Sequence, residues 1–569
     1  MKKEIGIPIR DRFGKASIFL FFAWFIIVCL VIPNVNVLYN TFFGDGHFSM
    51  EPINKLLSSE KAMRSLKNSF ILAPTLSVTV GFIGLSLVLI TEYFDIKGAK
   101  ILRLGFMSTL VYGGIILVSG YKFIYGQNGY LTNFLARFFP NMNTNWFEGY
   151  WAVLFVMTFA CTSNHIIFLR NAIRQVDYQT IEAAKNLGAS SFTVLVRVVL
   201  PVLRPSMYAV TILTFLTGLS ATSAPLLVGG PQFQTITPMI LTFSKSPYSR
   251  DLAALLSIVL AAATIILLVV MTRIEKRGYY MSISKVKTRI EKQKIDNRFL
   301  NILMHIYAYV LFLIYTIPVI LVIMFSFTDA KTIAQRKLSL SSFTLSNYTN
   351  LLTQTSGYKP FAVSIIYSVL AAFLVGVIIT FASRLIHKYK GKLVSILEYS
   401  LLIPWILPST LIAIGLVITY DTQHWYMFNK VLIGTSFIML LAYIIVKLPF
   451  TLRMTKAAFF ALDDNLEDAS KNLGASGFYT FRRVLLPIIM PSVLAIFALN
   501  FNSLLSDYDL SVFLYHPMYQ PLGVYIKSLT DSTTNADNTA LTFVYAVILM
   551  IISATVLYLV YGRGSKDEA

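Results

Sequence analysis

Polar side chains fit to meet a solute gather late in two apolar stretches of this 569-residue chain. The first stretch offers Thr211, Thr214, Thr217, Ser220, Thr222 and Ser223, and the second offers Asn500, Asn502, Ser503, Ser506, Asp507 and Asp509. Acids near membrane depth are costly unless they face a wet interior. Asp507 and Asp509 are therefore candidates for a cation-attracting outer gate, with loop capping at the water interface as the alternative. Ser and Thr in apolar helices also serve packing and backbone bonding. Nothing here signals covalent chemistry. The six histidines (His47, His165, His305, His387, His424, His516) are scattered without metal-ligand spacing, so no catalytic or metal residue is assigned. No G-x-x-x-x-G-K-[ST] phosphate loop occurs, so the chain is not expected to hydrolyse ATP or to hold a cofactor itself.

The elements that must position these residues are membrane helices. Apolar residues make up 56% of the chain and charged ones 13%, and the mean hydropathy is +0.67, far from a soluble domain. Stretches of roughly 20 apolar residues, enough to cross a bilayer, lie near 16–39, 68–91, 103–123, 150–170, 204–228 and 251–272. A second set lies near 299–327, 361–386, 395–419, 431–450, 490–508 and 540–562. Pro318, and Pro404 with Pro408, predict kinks or breaks in theirs. The first run follows Lys2, Lys3, Arg10, Arg12 and Lys15. It is long and precedes no small-x-small cleavage site, so it reads as a retained helix and not a signal peptide. Cys29 and Cys161 fall inside expected helices and offer no disulfide framework.

Basic loops stay in the cytoplasm. The N-terminus is basic, and the connector 273–298 carries nine Lys and Arg against Glu275, Glu291 and Asp296. With six helices between them, both segments and both termini are expected inside. This topology accounts for the net charge of +21 without nucleic acid, because the charges are spread over loop ends and not interleaved with aromatics.

Both halves repeat a phrase. Lys185-Asn186-Leu187-Gly188-Ala189-Ser190 returns as Lys471-Asn472-Leu473-Gly474-Ala475-Ser476, 286 positions later. The match holds register through Phe192 and Phe478, Arg197-Val198 and Arg483-Val484, and Leu200-Pro201 and Leu486-Pro487. A duplicated chain follows, with residues 1–272 and 299–569 as its halves. Asp177 and Asp463 are placed to cap a short helix before each phrase. Gly188 and Gly474 fall where a helix ends in a left-handed turn. Ser190 and Ser476 are placed to cap a second helix, expected to end before Pro201 and Pro487.

Glu182-Ala183-Ala184, then Gly188, then Val198-x-Leu200-Pro201 resembles the EAA signature of membrane-spanning subunits of binding-protein-dependent ABC importers. The second copy reads Asp468-Ala469-Ser470, Gly474, Val484, Leu486 and Pro487, with a shortened acid and a Ser for an Ala. The resemblance implies an all-α polytopic protein of about twelve transmembrane helices in two tandem six-helix permease domains, each with a cytoplasmic coupling-helix loop. It implies Glu182, Ala183, Lys185, Gly188, Asp468, Ala469, Lys471 and Gly474 as contacts to an ATPase dimer that holds the ATP and Mg. It also implies a path lined by Thr217, Ser220, Thr222, Asn500, Asn502, Ser503, Asp507 and Asp509 in a bacterial inner membrane. A substrate-binding protein would dock on outer segments 41–67, 229–250, 329–359 and 515–540. The fused arrangement, with Ser-Ala-Pro-Leu-Leu-Val-Gly-Gly-Pro at 223–231, looks most like ferric-iron permeases; thiamine, phosphonate and sugar-phosphate permeases share the shape. An ion-coupled secondary transporter built from a parallel repeat is the rival class.

Overall fold

The computed structural model describes residues 20–43, 46–110, 113–127, 129–173, 176–276, 291–295, 297–335, 340–389, 391–463, 465–531 and 536–561. The basic N-terminus, most of the connector 273–298 and both chain ends lie outside them. Among the described residues there is no strand, only two isolated bridges, Phe94 with Gln293 and Thr328 with Phe343.

Among the described residues ten helices are long and apolar enough to cross a bilayer, or twelve when each of two bent pairs is counted as one span. In the first half these are α1 (Leu20–Phe43), α2 (Glu60–Tyr93), the pair α3 (Ala99–Leu110 with Gly114–Phe138), α4 (Tyr150–Ile173), α5 (Ser191–Leu219) and α6 (Arg250–Val270). In the second half they are α7 (Arg298–Ser326), α8 (Thr355–Lys388), the pair α9 (Lys392–Ile406 with Ser409–Tyr420), α10 (Ser436–Phe460), α11 (Gly477–Leu505) and α12 (Asp537–Leu559). The second pair bends by 103° at Leu407, whose extended backbone (ψ 133°) is what the following Pro408 imposes.

The helix ends expected before Pro201 and Pro487 are corrected, and of the kink or break expected at Pro318 no break occurs, for one physical reason. Proline removes an amide and crowds the carbonyl four residues back, and each helix here finds a substitute. Before Pro201, residues Leu195–Val199 widen into a π turn in which Leu200 N–H donates to Leu195 O. Pro201 then enters the first turn of the regular helix that follows, where no amide is needed. Phe481–Leu485 do the same before Pro487, with Leu486 N–H donating to Phe481 O. The helices capped by Ser190 and Ser476 therefore do not end at the prolines; they continue unbroken as α5 and α11.

Pro318 does not break α7 either. The amide it lacks would have bonded Ile314 O, and Tyr121 Oη of α3 donates to that carbonyl at 3.3 Å. The first helix repeats the solution. A π turn at Ile27–Val31 precedes Pro33, so the next amide in the pattern, which would serve Val28 O, is missing. Tyr420 Oη of α9 donates to Val28 O at 2.5 Å. Val28 and Ile314 stand 286 positions apart, as the repeated phrases do.

These bonds mark an exchange between halves. Phe22, Phe25 and Leu30 of α1 are buried with Tyr420, Tyr443 and Leu448 of the second half. Tyr315 of α7 packs edge-on against Phe106 and Phe159 of the first. Each half lends its first helix to the other's core, so the connector separates the halves in sequence but not in space. The internal two-fold likeness extends to short helices following α5 and α11. Ile236 N–H, at the start of Ile236–Ser244, donates to Ser69 Oγ of α2 (2.9 Å), and Leu522 N–H, at the start of Leu522–Asp531, donates to Ser364 Oγ of α8 (2.8 Å).

Removing the phenol at Tyr121 strands a buried carbonyl, at a cost of roughly 1–3 kcal/mol. Tyr121→Phe is expected to lower the melting temperature of the detergent-purified protein, and to lower it far less in a Pro318→Ala background, where residue 318 regains its own amide. Equal losses in both backgrounds would contradict the assignment.

Candidate functional site

The two repeated loops fold alike to the level of single hydrogen bonds. Asp177 Oδ1 accepts from Gln179 N–H (3.1 Å) to start Tyr178–Asn186, and Asp463 Oδ1 accepts from Asn465 N–H (3.0 Å) to start Asn465–Asn472. Each helix closes in a Schellman turn. Gly188 N–H donates to Lys185 O (2.9 Å) and Ala189 N–H to Ala184 O (3.0 Å), matched by Gly474 to Lys471 (2.8 Å) and Ala475 to Ser470 (3.1 Å). The glycines have φ of +85° and +80°, a region other residues resist. Ser190 and Ser476 then cap α5 and α11 through Thr193 N–H and Tyr479 N–H.

Their undersides differ. Ile181 is fully buried among Val88, Tyr93, Leu169 and Ile173. Its counterpart Glu467 instead meets Arg384 (2.6 Å) and Lys388 (3.1 Å) at the end of α8. Ala184 and Val194 face the apolar cluster of the first loop, whereas Ser470 and Thr480 share a buried hydroxyl bond of 2.8 Å in the second. The Ala-to-Ser departure is thus partnered. Burial alone would raise the Glu467 carboxyl, but the hydrogen bonds and charges of Arg384 and Lys388 outweigh it and hold it down at about 2.

On the outer side, Glu182, Ala183, Lys185 and Gly188 are exposed, as are Asp468, Ala469, Lys471 and Gly474. Both lysines are engaged within the chain. Lys471 Nζ meets Asp468 at 3.2 Å and Glu467 at 3.5 Å. Lys185 Nζ donates to Gln293 Oε1, at the end of the connector. Gln293 is itself buried, donating its amide to Tyr93 O and accepting from Asp95 N–H. Sequence reasoning missed the most exposed apolar residues of the loops: Leu187 and Leu473, each 89% exposed, with Phe192 (74%) and Phe478 (69%) beside them. Their signal was in plain view, since a Leu kept in both copies of a polar phrase has no evident core to fill.

The expected path residues divide by face. Thr217 and Ser503 occupy equivalent positions 286 apart and are both exposed, as is Ser220. Asn500 differs in being buried, and it donates to Thr451 Oγ1 of α10 at 2.8 Å. Asn502 donates to Ser553 O of α12 at 3.3 Å. At 100° per residue, 500 and 503 lie about 60° apart and both meet α10, whereas 502 turns toward α12, so these side chains do not share one lining. Asp507 Oδ2 accepts from Ser511 N–H at 3.0 Å, the loop-capping geometry. Asp509 faces Thr222 and Ser223 across the seam between halves, and its Oδ1 is buried without a hydrogen-bond partner. The sequence reading also passed over Lys447, which stands in α10 and donates to Ser503 Oγ at 2.5 Å.

Comparison with known proteins agrees with the duplication. Residues 18–277 and 372–564 each match the family described as binding-protein-dependent transport system inner membrane component. The chain is 36% identical over 539 residues to a probable ABC transporter permease protein of Sinorhizobium fredii, covering 94% of both chains. It is 23% identical over 535 residues to a ferric transport system permease protein of Actinobacillus pleuropneumoniae, covering 92% of this chain and 75% of that one. A probable sulfate transport system permease protein of Prototheca wickerhamii is 32% identical over 172 residues, 29% of this chain and 66% of that one.

The two undersides should respond differently to acid. With its carboxyl held near 2 against an ordinary 4.5, Glu467 contributes fully above about pH 4.5 and loses its contribution as pH falls through 2. Amide protection factors in Asn465–Asn472 are expected to drop across that window while those in Tyr178–Asn186, anchored by Ile181, do not. Glu467→Gln should show the lower protection already at neutral pH. Parallel behaviour of the two helices would refute the distinction.

Proposed function

The chain belongs to the family of binding-protein-dependent transport system inner membrane components, and on that premise we propose that its two halves enclose the translocation path of an importer powered by separate ATP-hydrolysing subunits. In this reading Tyr178–Asn186 and Asn465–Asn472 are coupling helices on the cytoplasmic face of a bacterial inner membrane, with both termini on the same side. Each docks into one ATPase of a dimer, which binds the ATP and Mg. The observation that supports it best is the matched pair of leucines, Leu187 and Leu473, standing almost fully exposed at the tip of loops whose caps and glycine turns are hydrogen-bonded within the chain. An apolar side chain held out by a rigid, capped turn, twice and at one spacing, suits a pocket in a duplicated partner. Glu182 and Asp468 stand beside the leucines as charged contacts at the rim.

The opposite face carries short helices, among them Glu51–Ser58, Ile236–Ser244, Ser346–Thr353 and Leu522–Asp531, and is the docking face for a substrate-binding protein. Ferric iron is the cargo this reading favours, supported by the 23% likeness to a ferric permease over 92% of this chain. The likeness to a sulfate permease favours an oxyanion as the second reading, alongside the phosphonate or sugar phosphate that the fused shape also accommodates.

Burying a leucine contributes about 2 kcal/mol, so Leu187→Asp or Leu473→Asp is expected to weaken ATPase capture roughly 30-fold, measured by co-purification in mild detergent with a non-hydrolysable nucleotide. Gly188→Val and Gly474→Val have free space around the added Cβ but force a left-handed backbone at about 1–2 kcal/mol. They should leave the protein in the membrane with uptake and ATP hydrolysis uncoupled. Normal transport by the double glycine variant would defeat the coupling assignment.

A further inference from the structure

Lys447 stands near the middle of α10 (Ser436–Phe460), a span with a mean hydropathy of 1.8. A lysine at the centre of a bilayer is costly unless it faces a wet interior. Its neighbours lead from its own half toward the seam with the other. Nζ donates to the exposed Ser503 Oγ of α11 at 2.5 Å. Asp507 lies within Coulombic reach, and Asp509, two residues on, faces Thr222 and Ser223 of the first half. Lys447 therefore sits beside Ser503, whose first-half counterpart is the equally exposed Thr217.

The charge is one-sided. The position equivalent to Lys447 in the first half is Cys161, and that equivalent to Asp507 is Ala221, although α4 and α10, and α5 and α11, keep one register. The shared frame therefore folds without this cation, which points to a role in what passes through. Asp507 already accepts from Ser511 N–H and faces the Tyr443 hydroxyl, while an ammonium carries three donors and Ser503 takes one.

Resting on the importer reading, we propose that Lys447 receives an oxyanion group of the cargo at the seam between the halves. The solute carried is then anionic, either a free oxyanion or ferric iron enclosed by oxyanion ligands, and not a bare cation. The donors that Ser503 leaves open on this ammonium suit the carboxylates or phosphate oxygens that surround a chelated metal ion.

The test uses the complete transporter in cells lacking their own uptake systems, supplied with radiolabelled ferric citrate, sulfate or 2-aminoethylphosphonate. The wild-type protein is expected to take up at least one, and which one distinguishes the two sources. Lys447→Met should reduce that uptake at least tenfold, Lys447→Arg should keep at least a third of it, and Lys447→Met with Asp507→Asn should not recover. Undiminished uptake by Lys447→Met overturns the proposal. Recovery in the double variant does so too, leaving Lys447 as a counter-charge to Asp507, as does a wild-type protein that carries none of the three but carries the cation thiamine. ATPase co-purification is followed in parallel. Its absence from the wild-type protein overturns the importer reading together with this one, whereas its presence with unimpaired Lys447→Met uptake overturns this assignment alone.

Discussion

In hydrocarbon no water is at hand to satisfy a stranded carbonyl, so a proline inside a membrane helix calls for a hydrogen-bond donor from elsewhere or a local change of helix. This constraint organises the molecule. Pro33 and Pro318 each leave an acceptor open, at Val28 and Ile314, and in each case the donor is a tyrosine from the opposite half. A local defect thereby becomes a contact between halves, at equivalent places in both. Pro201 and Pro487 meet the same constraint with a π turn, which carries the chain without interruption from a capped surface loop into a membrane span. Whatever happens at the loop is joined to the span by continuous helix.

One frame supports two chemistries. The loops share their caps, their glycine turns and their exposed leucines, yet Ile181, Ala184 and Val194 of the first are replaced by Glu467, Ser470 and Thr480 in the second. The replacements are coherent, because each polar group gained has found a partner: Glu467 on Arg384 and Lys388, Ser470 on Thr480. Polar groups added under a loop one at a time would have been left unsatisfied at about 1–3 kcal/mol each. The connector deepens the difference, since Gln293 engages Lys185 of the first loop.

Much of this was legible in the chain. The span count, the capping residues and the left-handed glycines follow from local rules, and each is realised. What the sequence concealed depends on neighbours remote in the chain. Nothing near Pro318 announces Tyr121, so the helix reads as kinked or broken. Nothing near Asn500 announces Thr451, so a buried amide reads as a path residue. Lys447 was visible as a charge in an apolar run, but only its bond to Ser503 and its nearness to Asp507 show which way it faces. The exchange of α1 and α7 between halves left no trace in either helix, because an apolar face does not specify which apolar face it meets.

That exchange bears on why the halves are one polypeptide. With α1 seated in the second core and α7 in the first, scission of the connector would leave two interlocked chains, so the covalent join is not what holds the assembly together. Its effect is on composition. Synthesis as a single chain delivers the Ile181-type and Glu467-type halves in strict one-to-one dosage and removes the pairing of like with like, so every assembled particle carries one seat of each kind.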